Sequence, residues 1–202
     1  MKIKVCGMRD KENISGLLAL KPDYIGFIFY DKSKRFVADF PQIEIPSTIK
    51  KVGVFVNETI EEIIEKANKH TLDFAQLHGN ETPEYCSALS AKNIKIIKAF
   101  SVDENFDFSA IKSFEKCVSI FLFDTKGNNY GGNGVKFNWD LLQNYKGKIP
   151  FLLSGGINKN DADEIKKMKH LAFLGIDINS GFELEPGLKN IKEIKEFKSL
   201  LI

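Results

Sequence analysis

The sequence predicts an α/β fold, a single-domain (β/α)8 TIM barrel over residues 1–202, on three observations. Eight short runs rich in β-branched or aromatic residues recur along the chain. They are spaced by roughly 18 to 30 residues, and helix-like stretches fill most of the intervals. The runs cover residues 2–6, 24–29, 51–56, 74–77, 94–99, 119–123, 150–154 and 172–176. A doubly wound open sheet shares this local pattern, and it is the count of eight that favours closure into a barrel.

The elements follow in order. The opening Met1-Lys2-Ile3-Lys4-Val5-Cys6 lacks the apolar run of a signal peptide and reads as a strand. Ile25-Gly26-Phe27-Ile28-Phe29 and Ile120-Phe121-Leu122-Phe123 are almost continuously apolar, as strands covered on both faces must be. Between Phe36 and Ser47, Pro41 and Pro46 interrupt any long helix, so the second helix is expected to be shortened or irregular. Helical periodicity is clearest over 59–67, where Ile60, Ile63, Ile64 and Ala67 share a face, and it recurs over 161–168 and 188–201. Asn57, Thr82-Pro83-Glu84 and Asn158 read as helix starts.

Composition narrows the class. A chain of 202 residues, 43% hydrophobic and 28% charged, suits one compact domain. The net charge of +2 gives no field that calls for nucleic acid or an anionic membrane as partner. Cys6, Cys86 and Cys117 are widely spaced and odd in number, which excludes a disulfide framework and points to the reducing cytoplasm. No apolar run is long enough to cross a bilayer.

Active sites of such barrels lie where the strands end. Cys6 closes the first run, and a thiol there serves as a base or nucleophile if its surroundings lower its pKa; a small buried hydrophobe is the plainer reading. Asp124 follows an apolar strand, where partial burial raises a carboxyl's proton affinity towards acid catalysis; capping of the next turn is the alternative. The glycine-rich stretch 127–134 reads as a lid or a plain surface loop. Ser154-Gly155-Gly156-Ile157 and Asp177-Ile178-Asn179-Ser180-Gly181 follow the last two runs, where a phosphate site is expected, with Gly155, Gly156, Ser180 and Gly181 as donors. His78 alone among the histidines ends a run, and no pair has metal-ligand spacing.

Taken together these stretches resemble the phosphoribosylanthranilate isomerase family over essentially the whole chain. The matching segments are Lys4-Val5-Cys6-Gly7-Met8, Ser33-Lys34-Arg35-Phe36-Val37, Gln76-Leu77-His78-Gly79, Phe123-Asp124-Thr125, Gly131-Gly132-Asn133-Gly134, Ser154-Gly155-Gly156-Ile157 and Asp177 to Gly181. The resemblance implies an Amadori isomerisation of N-(5-phosphoribosyl)anthranilate in tryptophan biosynthesis, without cofactor or metal. It implies Asp124 as general acid, Cys6 as general base and Arg35 as the fork for the anthranilate carboxylate. His78 and Asp177 would line the substrate pocket. Asn133 and Asn179 stand where the family often has Thr and Ser, which alters lid or phosphate contacts in detail. The runner-up is another phosphosugar barrel, an indole-3-glycerol-phosphate synthase or an epimerase, and the non-enzymatic alternative is a phosphate-ligand sensor. A small phosphorylated substrate is the expected partner, and a monomer the expected state.

Overall fold

The computed structural model describes residues 1–125 and 136–201. The parallel strands β1 (Lys2–Val5), β2 (Tyr24–Ile28), β3 (Lys50–Phe55), β4 (Phe74–Leu77), β5 (Ile96–Val102), β6 (Ile120–Thr125), β7 (Phe151–Leu153) and β8 (Phe173–Ile178) pair in chain order. β1 then pairs with β8, Lys4 opposite Asp177, and the sheet closes into a barrel. Around it lie α1 (Lys11–Ala19), α2 (Ile60–His70), α3 (Pro83–Ser90), α4 (Ala162–Lys167) and α5 (Ile191–Leu200). A small hairpin, β9 (Glu183–Glu185) with β10 (Leu188–Lys189), lies between β8 and α5. Among the described residues no helix is long and apolar enough to cross a membrane.

The layers follow from strand alternation. One set of side chains, including Tyr24, Val52, Ile97, Leu122 and Leu152, meets inside the barrel. The opposite set, including Ile25, Phe27, Phe121 and Phe123, packs outward on the helices and loops. Each such buried side chain contributes about 1.5–3 kcal/mol. Both faces of every strand are therefore covered, which is why the runs read as continuously apolar.

Several boundaries move, each for a local reason. β6 continues through Asp124 to Thr125 and β8 through Asp177 to Ile178, so both carboxylates stand within strands rather than after them. Asn57 does not cap α2: its backbone is left-handed and its side chain accepts the N–H of Asn80, while Thr59 accepts from the Glu62 N–H as the cap. Thr82 caps α3 with Pro83 in the first turn, as its sequence requires. Residues 188–189 are drawn into the hairpin, so α5 starts at Ile191 behind the cap Asn190. The irregular second unit carries no helix over 29–49; Val37, Phe40, Ile43 and Ile45 cover that side of the barrel instead. After β5 and β6 the covering elements are the 3-10 turns Ala110–Phe114 and Trp139–Asn144.

Candidate active site

All nine site residues singled out from the sequence line one cleft at the C-terminal mouth of the barrel. Cys6 stands just past β1, on the barrel-mouth side of Ile28 and Val54. It is 4% exposed, and burial pushes its thiol pKa up while the ammonium of Lys4 pulls the other way. Lys4 lies two residues back on the same strand face, fully buried. Its Nζ donates to both carboxylate oxygens of Asp177, at 3.0 and 2.9 Å. Burial opposes the Lys4 charge, but Asp177 and Cys6 outweigh it and hold the ammonium protonated.

Three strands away around the barrel, Asp124 faces the same cleft. Its Oδ1 accepts the Thr125 N–H at 2.9 Å, and its Oδ2 is 3.2 Å from His78 Nε2. The Gln76 amide nitrogen is 3.0 Å from His78 Nδ1. With that nitrogen donating, the ring proton sits on Nε2 and points at Asp124. Gln76 Oε1 is buried and has no hydrogen-bond partner among the described residues. Gly155 has φ +91°, and a Cβ on it would come within 2.8 Å of Asp124 Oδ1 and closer still to Thr125. A glycine there lets the loop after β7 lie directly against the acid.

The loops after β7 and β8 bring Gly155, Gly156, Ser180 and Gly181 to the cleft. Among the described residues, the backbone N–H groups of Gly155, Gly156, Ser180 and Gly181 have no hydrogen-bond partner. At the start of the following helix the orphan N–H groups are taken up locally. Asn158 and Asp161 form a capping box there, and Lys136 pairs with Asp161. The unpaired N–H groups on this side of the cleft are therefore loop amides rather than those of a helix terminus.

Arg35 reaches the cleft already engaged. Its Nε and Nη2 hold Glu183 of β9, the shortest contact being 2.6 Å, which leaves Nη1 without a bond among the described residues. Glu183 also accepts from Lys189 Nζ, which in turn donates to Asn179 at 2.7 Å. Burial alone would raise the Glu183 carboxyl, but Arg35 and Lys189 hold it below the usual range. The sequence reading missed Lys4, Gln76, Glu183 and Lys189. A signal existed for the first two, since residues two apart on a strand share a face, and Cys6 and His78 were already assigned to the mouth. Glu183 and Lys189 come from a hairpin that only the tertiary fold brings back over the opening.

Among the described residues no group of three or more His, Cys, Asp or Glu could hold a metal ion. The Gly131-Gly132-Asn133-Gly134 stretch lies outside the described residues.

A sequence model of the N-(5′-phosphoribosyl)anthranilate (PRA) isomerase family matches residues 3–199. The N-(5′-phosphoribosyl)anthranilate isomerase of Parabacteroides distasonis is 50% identical, over 98% of this chain and 91% of that protein. The solved phosphoribosyl anthranilate isomerase of Thermotoga maritima superposes with a TM-score of 0.87 at 33% identity, covering 100% of this chain and 98% of that one. Another solved relative, 30% identical with a TM-score of 0.84 over 100% of this chain and 98% of its own, is in complex with reduced 1-(o-carboxyphenylamino)-1-deoxyribulose 5-phosphate. With the match running through every strand of the barrel and both walls of the cleft, the chain belongs to the N-(5′-phosphoribosyl)anthranilate isomerase family.

Proposed function

We propose that this chain carries out its family's reaction with Cys6 as general base and Asp124 as general acid. It is an aldose–ketose isomerase that converts N-(5-phosphoribosyl)anthranilate to 1-(2-carboxyphenylamino)-1-deoxyribulose 5-phosphate in tryptophan biosynthesis. The observation that carries the residue assignment is the convergence of Cys6, Asp124 and the loop amides on one cleft.

Asp124 gives its proton to the ribose ring oxygen. The C1′–O bond breaks with its electron pair going to oxygen, and the anthranilate nitrogen lone pair forms a C1′=N iminium. The carboxylate left behind is met by the N–H groups of Thr125 and His78, which stabilise the charge that has just developed. Cys6, as thiolate, takes the C2′ proton. The C–H electron pair becomes the C1′=C2′ bond, the iminium pair returns to nitrogen, and an enolamine results. Protonation at C1′ and loss of the hydroxyl proton then give the ketone. Proton exchange with solvent restores both residues.

The amides of Gly155, Gly156, Ser180 and Gly181 hold the phosphate, the group shared with the ligand of the solved relative. Arg35 meets the anthranilate carboxylate through Nη1, steadied from behind by Glu183. His78 and Asp177 line the pocket between these poles. Every assigned residue comes from one chain, so the reading needs a single copy, although the Thermotoga maritima relative is described as dimeric. All three cysteines are free, which suits a reducing cytoplasmic setting.

The test is turnover of freshly generated phosphoribosylanthranilate, followed by fluorescence against its uncatalysed decay. Cys6→Ala and Asp124→Ala are each expected to lower kcat by about 10²–10⁴-fold. A folded Cys6→Ala variant at wild-type rate would remove the thiol from the mechanism. A wild-type protein that binds the reduced product analogue without turnover would favour the sensor reading.

A further inference from the structure

The proposed mechanism leaves one buried charge without a task. Lys4 is fully buried, does not line the cleft, and lies directly beneath the residue assigned as base. An ammonium carries three N–H bonds. Asp177 takes two of them, one to each oxygen. Among the described residues no oxygen takes the third, and the Cys6 sulfur, two residues on along the same face, is the group beside it. The space between the two groups is kept by Gly26 on β2. A Cβ on that residue would lie 2.8 Å from Cys6 Sγ and 3.2 Å from Lys4 Nζ, so sulfur and ammonium border the same small void.

We propose that Lys4 is a positioning residue for the isomerisation: anchored by Asp177, it turns its remaining N–H to Cys6 Sγ and stabilises the sulfur as the thiolate that accepts the substrate proton. It acts through Cys6 and touches no substrate. The proposal rests on Cys6 as base.

The other charges around the thiol do not replace Lys4. From β8, Asp177 opposes the thiolate, and from β10, Lys189 favours it but is bound to Glu183 and Asn179. Arg35, from the loop after β2, is held by Glu183, while His78 of the β4 loop and Asp124 of β6 pair with each other. Lys4 is the largest of the influences that lower the thiol pKa against burial. An ammonium deep in a low-dielectric wall acts on its neighbour far more strongly than one in water.

The experiment uses two variants of the full chain. Lys4→Met removes the ammonium, and Lys4→Met with Asp177→Asn also removes the carboxylate that the first change strands. Cys6 is titrated directly by ultraviolet thiolate absorbance, with Cys6→Ala as the subtracted blank, and kcat and kcat/KM are followed across pH. The midpoint for Cys6 is expected to rise by about one unit in folded Lys4→Met, and by less in the double variant, where the opposing carboxylate of Asp177 is gone as well. The acid limb of kcat/KM rises with it, giving about a tenfold loss near neutrality that recovers at high pH. A loss that is uniform across pH, with the Cys6 midpoint unmoved, would mean that Lys4 only supports the fold and would overturn the proposal. So would a midpoint that falls. Failure of the underlying reading looks different: Cys6→Ala would then stay active while the Cys6 midpoint still moved with Lys4.

Discussion

Two lysines are buried inside strands of this barrel, and they serve opposite ends. Lys98 on β5 donates to Glu81 at 3.0 Å and to the carbonyls of Leu77, Gly79 and Ala99. Glu81 in turn accepts from the N–H groups of Asn57 and Gly79. That knot ties together the loops after β3 and β4 and the end of β5, and its ammonium is spent on oxygens. Lys4 on β1 donates to both oxygens of one carboxylate and stands beside the Cys6 sulfur. The lesson is that burial of an ion pair does not reveal its use. What does so is which group stands beside the ammonium.

The contrast can be broken first at Lys98. Lys98→Met leaves Glu81 buried without its cation, and such breaks cost about 3–5 kcal/mol. A large drop in the urea midpoint is expected, with the pH profile of the surviving activity unmoved. A shifted profile with intact stability would erase the distinction between the two lysines. Next comes the void that serves Lys4. Gly26→Ala forces Sγ aside, since its Cβ would lie only 2.8 Å away. Displacement of a reacting group by a fraction of an ångström to an ångström costs up to about 10²-fold, so kcat should fall towards that limit with KM nearly constant. Wild-type kcat in that variant would show that the sulfur has room to spare.

The smallest effect is expected at the rim. Glu183 titrates below the usual carboxylate range in the folded chain because Arg35 and Lys189 outweigh its burial. A carboxyl depressed on folding adds stability above its unfolded pKa, and that stability is lost as pH falls through the folded value. Glu183→Gln should therefore flatten the acid limb of stability below the ordinary glutamate value of about 4.3. Urea midpoints at neutral and acidic pH will read it. An unchanged acid dependence would mean that the Arg35–Glu183 pair contributes nothing net to the fold.

The barrel was legible because its strands are covered on both faces and so advertise themselves as apolar runs of β-branched and aromatic residues. The helices showed where an amphipathic face survives, as in Ile60, Ile63, Ile64 and Ala67. They did not show over 29–49, where Val37, Phe40, Ile43 and Ile45 cover the sheet without periodic geometry. At the site, residues at strand ends were readable from position alone. Lys4 and Gln76 were legible only at second hand, from Cys6 and His78 two residues on along the same faces, because neither stands at a strand end. Glu183 and Lys189 were hidden because their hairpin follows the last strand and returns over the mouth.

The pairing of β1 with β8 has a consequence for the order in which the molecule comes into being. Lys4 and Asp177 are 173 residues apart and meet only where the barrel closes. On the ribosome Lys4 emerges long before its counter-charge. Until then the first strand has an open edge and an ammonium that water must solvate. Contacts of such long sequence separation form late and slowly. On the proposed reading Cys6 acquires its setting in the closing step of folding, and a chain lacking β8 would leave Lys4 without its counter-charge even with every other element in place.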